Sequence, residues 1–176
     1  FVQAVGGWAE TNERWRSEGW DGTPLDALFG TDNVLGTGVY YGPVPRFEYR
    51  VLSEDESTRT YVNHEGIVMR EFKDFHGNSS MPKFVRFPVE TPDDFEAFCG
   101  ERLVAPLSAR VPEQWSSMVQ ALPGRTDPLM NFADRWGGFF GPLRNLMGVE
   151  NLCVAFYDQP ELIERMMDQR VEAIME

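Results

Sequence analysis

Residues 46–72 read RFEYRVLSEDESTRTYVNHEGIVMREF, and their rhythm decides how the rest of the chain is parsed. Phe47, Tyr49 and Val51 alternate with polar neighbours, and SEDES (53–57) makes a polar turn. TRTYVN (58–63) resumes the alternation, and HEG (64–66) breaks it before IVMREF (67–72). Alternate side chains share one face of a pleated strand, so this period of two predicts a three-stranded antiparallel meander over 45–73.

On either side the period changes. FVQAVGGW (1–8) is a short apolar run ending in glycines, which fits a buried strand and a turn. AETNERWRSEGW (9–20) follows as a helix with Thr11 or Asn12 as N-cap and Gly19 as its stop. GTPLDALFG (22–30) has Thr23 as cap, Pro24 at the first helical position, Asp26 three after the cap and Gly30 at the end. Thr91, Pro92 and Asp94 repeat that signature ahead of DDFEAFCGERL, and PEQWSSMVQAL (112–122) predicts a further helix. PLMNFA (128–133) reads as a buried strand, and GGFFGPLRNLMG (137–148) as the strand-to-helix junction after it. In DQPELIERMMDQRVEAIME (158–176), Asp158 is the expected cap. Leu162, Ile163, Met166, Met167, Val171, Ile174 and Met175 form one apolar helical face. Strands that lead into helices around an inserted meander give an α/β class. The strands are too few for a closed eight-fold barrel, so a partial (β/α)8 barrel and a small open sheet both fit.

Composition excludes several function classes. No apolar run is long enough to cross a membrane, and the first residues lack the basic and apolar regions of a signal peptide. The formal charge of −12 is dispersed along the chain, which argues against a nucleic-acid face and disfavours substrates rich in carboxylates. Cys99 and Cys153 stand far apart in no ligand-type spacing, as expected for buried free thiols in a reducing cytoplasm. The chain lacks an initiator Met and stops at Glu176 without a helix stop, so both ends are expected to be truncated.

No phosphate loop of the GxxxxGK type, HExxH, GxSxG or CxxC occurs. His64 and His76 have no partner spacing and read as surface or turn residues. Candidates for a site are therefore the polar and aromatic residues at strand ends. Trp8 and Glu10 form one such group, with an Arg14 pairing to Glu10 along a helix face as the alternative. Tyr40 and Tyr41, ahead of a glycine and a proline, either close a pocket or staple the meander to the body. Asn131, Asp134, Arg135 and Trp136 end the last strand, where Asp134 and Arg135 either brace the loop or face a ligand. Phe139 and Phe140 supply an apolar wall, and Arg144 is expected to brace the loop.

Four ordered segments together resemble the uroporphyrinogen decarboxylase superfamily, in its divergent branch near corrinoid-linked methyltransferases. They are GGWAETNERWRSEGW (6–20), GPVPRFEYRVLSEDESTRTYVNHEGIVMREFKD (42–74), MPKFVRFPVETPDDFEAF (81–98) and GGFFGPLRNLMGVENLCVAFYDQPELIERMMD (137–168). The resemblance implies one incomplete TIM-barrel domain over 1–176, with its cleft at the C-terminal face of the barrel. The decarboxylases of that family use an N-terminal arginine-rich motif, whereas here only Arg14 and Arg16 occupy that place. The resemblance therefore favours methyl transfer between a corrinoid protein and a thiol over a porphyrinogen carboxy-lyase. A non-catalytic module binding a small molecule or a corrinoid protein is the third reading. Zinc is implied for the full-length protein, on His and Cys ligands downstream of residue 176, with no metal or cofactor held within 1–176. The implied site has Glu10 and Arg135 as catalytic groups, and Trp8, Tyr41, Trp136 and Phe139 lining it. The implied partners are a small-molecule substrate and a corrinoid protein, with neither nucleic acid nor membrane.

Overall fold

The computed structural model describes residues 7–32, 34–73, 81–131 and 135–175. The expected strand at the N-terminus, His76, Phe132, Ala133 and Asp134 lie outside them. The chain is a mixed α/β protein whose contacts divide it into two compact units.

The first unit comprises residues 1–37 and 114–131. Helix α1 (Ala9–Ser17) begins two residues before the expected cap, with Trp8 at the N-cap position. Glu10 lies in its first turn and Arg14 and Arg16 in its last, each sign complementing the helix dipole. Helix α2 (Leu25–Phe29) is closed by Gly30 in the left-handed region at φ 60°. Thr23 is not its cap. The Thr23 hydroxyl donates to Asp21 Oδ1 at 2.6 Å, and that carboxylate also accepts the Thr23 N–H. An Asx turn thus takes the oxygen that would have capped the helix. Strands β1 (Leu35–Gly36) and β6 (Leu129–Met130) pair in parallel, Leu35 with Leu129 and Gly36 with Met130. The Thr37 hydroxyl donates to Asn131 Oδ1 at 2.6 Å and locks the end of the pair. PLMNFA was expected to be buried, but Leu129 and Met130 stay 47% and 40% exposed. A two-residue pairing supplies backbone bonds, and the described residues leave both side chains partly open. Helix α4 (Trp115–Gln120) completes the unit.

The second unit comprises residues 38–113 and 132–176. Strands β2 (Arg50–Glu54), β3 (Thr58–Val62) and β4 (Val68–Phe72) form the expected meander. A fourth strand, β5 (Lys83–Arg86), extends it through the pairs Met69–Phe84 and Arg70–Lys83. The sheet order is β2-β3-β4-β5. Asp55 builds the first turn by accepting the N–H groups of Ser57 and Thr58 and the Thr58 hydroxyl. Those bonds hold its carboxyl well below the usual range. Asn63 builds the second turn, its Oδ1 accepting from Glu65 N and Ile67 N, both at 2.9 Å. Tyr61, Ile67 and Met69 pack together with Phe87 under the sheet. Burial and the neighbouring Glu71 push the Tyr61 phenol up to about 12.

Helix α3 (Pro92–Phe98) carries the full capping box. The Thr91 hydroxyl oxygen accepts Asp94 N–H at 3.2 Å, while Asp94 Oδ2 accepts Thr91 N–H at 2.9 Å. Helices α5 (Phe140–Met147), α6 (Val149–Asp158) and α7 (Pro160–Met175) follow. They bury Leu143, Leu146, Met147, Leu152, Ala155, Leu162, Ile163 and Met166, at about 1.5–3 kcal/mol for each large apolar side chain. Asp158 ends α6 rather than capping α7, because only Gln159 separates the two helices. The apolar face expected for α7 also shifts. Val171 and Met175 are exposed, whereas Gln169 and Arg170 are buried. Arg170 is drawn inward by the carbonyls of Tyr41 and Trp136. Among the described residues no helix is long and apolar enough to cross a membrane.

Candidate functional site

Arg135 lies on the wall of two cavities of the second unit. The smaller one, of about 330 Å³, is lined by Tyr40, Arg46, Asn63, His64, Glu65, Arg135 and Trp136. The larger one, of about 690 Å³, has Phe84, Phe87 and Met147 on its apolar side and Arg86, Arg144 and Arg135 as cations. Glu90 and Glu150 face the same cavity, so its cations are offset by carboxylates, and its size suits a small molecule.

Backbone contacts set these walls. Trp136 is 2% exposed, and its carbonyl accepts from Arg170 Nη2 at 2.6 Å. The Tyr41 carbonyl accepts from Arg170 Nη1 at 2.9 Å, so one guanidinium of α7 fastens two separate loops. Arg110 does similar work beside them, donating to the carbonyls of Gly42 at 2.7 Å and Tyr40 at 3.3 Å. The Arg135 carbonyl accepts from the Asn145 side chain at 3.0 Å, and Asn145 is itself 2% exposed. Arg135 is therefore held by its backbone while its guanidinium stays half exposed, with Nη1 3.5 Å from Glu65 Oε2.

The meander supplies the other wall. The turn that Asn63 builds presents His64 and Glu65 to the cavity. His64 Nδ1 lies 3.0 Å from the Phe47 carbonyl, so Nδ1 carries the proton and donates. The Arg46 guanidinium carbon sits 4.4 Å from the centroid of the Tyr40 ring, within cation–π reach.

The chain matches no family model, curated protein or solved structure with which it was compared.

Among the predicted site residues, the structure brings Arg135 and Trp136 to one cavity and joins Tyr41 to Trp136 through Arg170. Tyr41 is 6% exposed and lines a separate cavity with Leu103, Arg110 and Gln169. Phe139 is 45% exposed at the N-cap position of α5 and Phe140 starts that helix. Arg144 faces the larger cavity. In the first unit, Trp8 is 64% exposed and Glu10 is exposed on α1. Arg14 pairs with Glu18 at 2.8 Å instead of with Glu10. His64 is exposed in its turn, as expected.

Among the described residues, no group of three or more His, Cys, Asp or Glu is arranged to hold an ion. Burial and Glu96 raise the Cys99 thiol to about 11, which disfavours the thiolate that a metal needs. Arg46, Glu65, Arg110 and Arg170 were not foreseen. Their contacts join segments far apart in sequence, and no local pattern signals them.

Proposed function

We propose that the chain is the N-terminal part of a barrel enzyme of the uroporphyrinogen decarboxylase superfamily, methyltransferase-like rather than a true decarboxylase. The observation that carries the reading is the parallel pairing of β1 with β6. Parallel neighbours require a crossover between them, as successive barrel strands do. Here the crossover includes the four-stranded sheet, the place where an inserted meander would sit. The sequence after β6 then leads into α5, in the strand–loop–helix order of a (β/α)8 repeat.

In the second unit Arg135 orients an anionic group of the substrate and Tyr41, Trp136 and Phe139 are apolar wall residues; in the first unit Glu10 is a hydrogen-bonding or acid/base group beside Trp8. Methyl transfer of this kind breaks the carbon–cobalt bond with both electrons left on the corrinoid. The methyl group joins the thiol sulfur, and the thiol proton goes to solvent. The chain's own residues position the acceptor and exclude water, and no step is assigned to a metal here.

The test is incubation of the full-length protein with methylcobalamin and an alkanethiol. The corrinoid visible spectrum and the mass of the thioether are the readouts. Thioether formation that falls at least tenfold in R135Q or E10Q is the expected result. Carbon dioxide release from a porphyrinogen without thioether formation would establish the carboxy-lyase instead. Unchanged turnover in both variants would remove the residue assignment.

A further inference from the structure

Gln169 is only 9% exposed on α7, yet its side-chain amide makes no hydrogen bond with the described residues. It lines a cavity of about 310 Å³ in the second unit, together with Tyr41, Leu103, Arg110, Glu172 and Ala173. A buried amide is costly unless something supplies its partners. Neither end of this one is shut off from solvent, so a molecule in the cavity can reach both its N–H donors and its oxygen.

The neighbours decide what that molecule is. Arg110 is the cation of the wall, and it donates to the carbonyls of Ala105, Tyr40, Gly42 and Arg102. It braces the loops instead of offering a fork to an anion. Glu172 follows Gln169 by three residues, on the same face of the helix, and is exposed. It forms no ion pair among the described residues. Arg165 is near enough to feel its charge but pairs with Glu96 at 3.1 Å. An anionic ligand would therefore meet a carboxylate, and an ammonium would leave the Gln169 donors idle. A primary carboxamide uses every group. Its carbonyl accepts from Gln169 Nε2, one N–H donates to Gln169 Oε1, and the other N–H donates to Glu172. Leu103 and Ala173 leave an apolar place for the rest of the molecule.

We propose that this cavity binds a small neutral molecule by a primary carboxamide, paired with the Gln169 amide and held at its second N–H by Glu172. The site is distinct from the cavities that Arg135 lines, and the proposal does not rest on methyl transfer.

Ligand-observed NMR titrations with benzamide, N,N-dimethylbenzamide, benzoate and benzylamine test it. Benzamide should bind at least about fivefold more tightly than each of the others. The first of them lacks the N–H donors, the second carries a negative charge and the third lacks the carbonyl. Q169L removes both partners and should weaken benzamide about tenfold with an unchanged circular dichroism spectrum. Q169E, which keeps the acceptors and loses the donors, repeats the test should Q169L alter that spectrum. E172Q changes an exposed side chain and should strengthen benzoate about threefold by removing the opposing charge. Benzamide binding no tighter than that of N,N-dimethylbenzamide or benzylamine, or indifferent to the Gln169 variants, overturns the proposal. R135Q should leave benzamide binding unchanged, and its loss there would put the ligand in another cavity and overturn this site.

Discussion

Arg170 Nη2 donates to the Trp136 carbonyl at 2.6 Å while its Nη1 donates to the Tyr41 carbonyl at 2.9 Å, in a place where all three residues are buried. A charged donor to a buried carbonyl is worth about 1.5–3 kcal/mol, and removing Arg170 deletes both of these bonds. R170M fills similar volume without the donors. It should lose about 3 kcal/mol of stability, read as a lower urea midpoint with an unchanged m-value. R170K, which can reach one carbonyl, should fall between the two. An R170M midpoint equal to that of the parent would show that the clamp does not hold the loops.

Gly148 ends α5 and starts α6 at φ 79° and ψ 160°, a backbone region open essentially to glycine alone. A Cβ there would also run into the Phe87 ring. G148A should therefore cost more than about 2 kcal/mol. The double variant G148A/F87L separates the two causes. Relief of the clash restores part of the loss and the backbone strain keeps the rest. Full restoration by F87L would mean that the backbone adapts.

These two contacts also mark where the sequence stops being legible. The α3 capping box was readable because Thr91 and Asp94 find each other within a single turn. The meander was readable from its polar turns and the alternation from Thr58, whereas β2 begins at Arg50, after most of the Phe47–Val51 alternation, and is exposed throughout. Strand β5 was not, since KFVR is too short to show a period and its pairing with β4 is a tertiary choice. Helix α6 was missed because VENLCVAFYD carries no cap of its own and takes Gly148 from its neighbour. At the candidate site, Arg135 and Trp136 could be read from their place after β6. Their companions Arg46 and Glu65 reach the cavity by folding alone.

The Thr91–Asp94 box has a pH signature. Hydrogen bonds from the Thr91 hydroxyl and from the backbone N–H groups of Glu90 and Thr91 lower the Asp94 carboxyl below its ordinary value. A carboxylate whose folded value is depressed adds stability that is present above its unfolded value, about 3.9. That contribution disappears as pH falls through the folded value. D94N should therefore be less stable than the parent at pH 7, and the difference should shrink as pH falls below about 3.9. T91A should lose about 1 kcal/mol through the cap. Urea titrations of both variants at pH 7 and pH 2.5 decide it, and a D94N deficit undiminished at the lower pH would contradict the box.

The two cysteines should differ in reactivity. Cys153 is exposed on α6, whereas Cys99 is half-buried just after α3, where burial and the nearby Glu96 raise its thiol to about 11. Only the thiolate attacks an alkylating reagent, and a higher thiol value leaves less of it at pH 8. Iodoacetamide at that pH should therefore modify Cys153 first, with Cys99 lagging by at least about tenfold. Peptide mass spectrometry over time gives both rates in one sample. E96Q removes one negative neighbour and should bring Cys99 partway towards Cys153, while in urea the two rates should converge. If Cys99 were the faster in the folded protein, its neighbourhood would have to stabilise a thiolate, and the case against a metal-binding thiol at that position would fall with it.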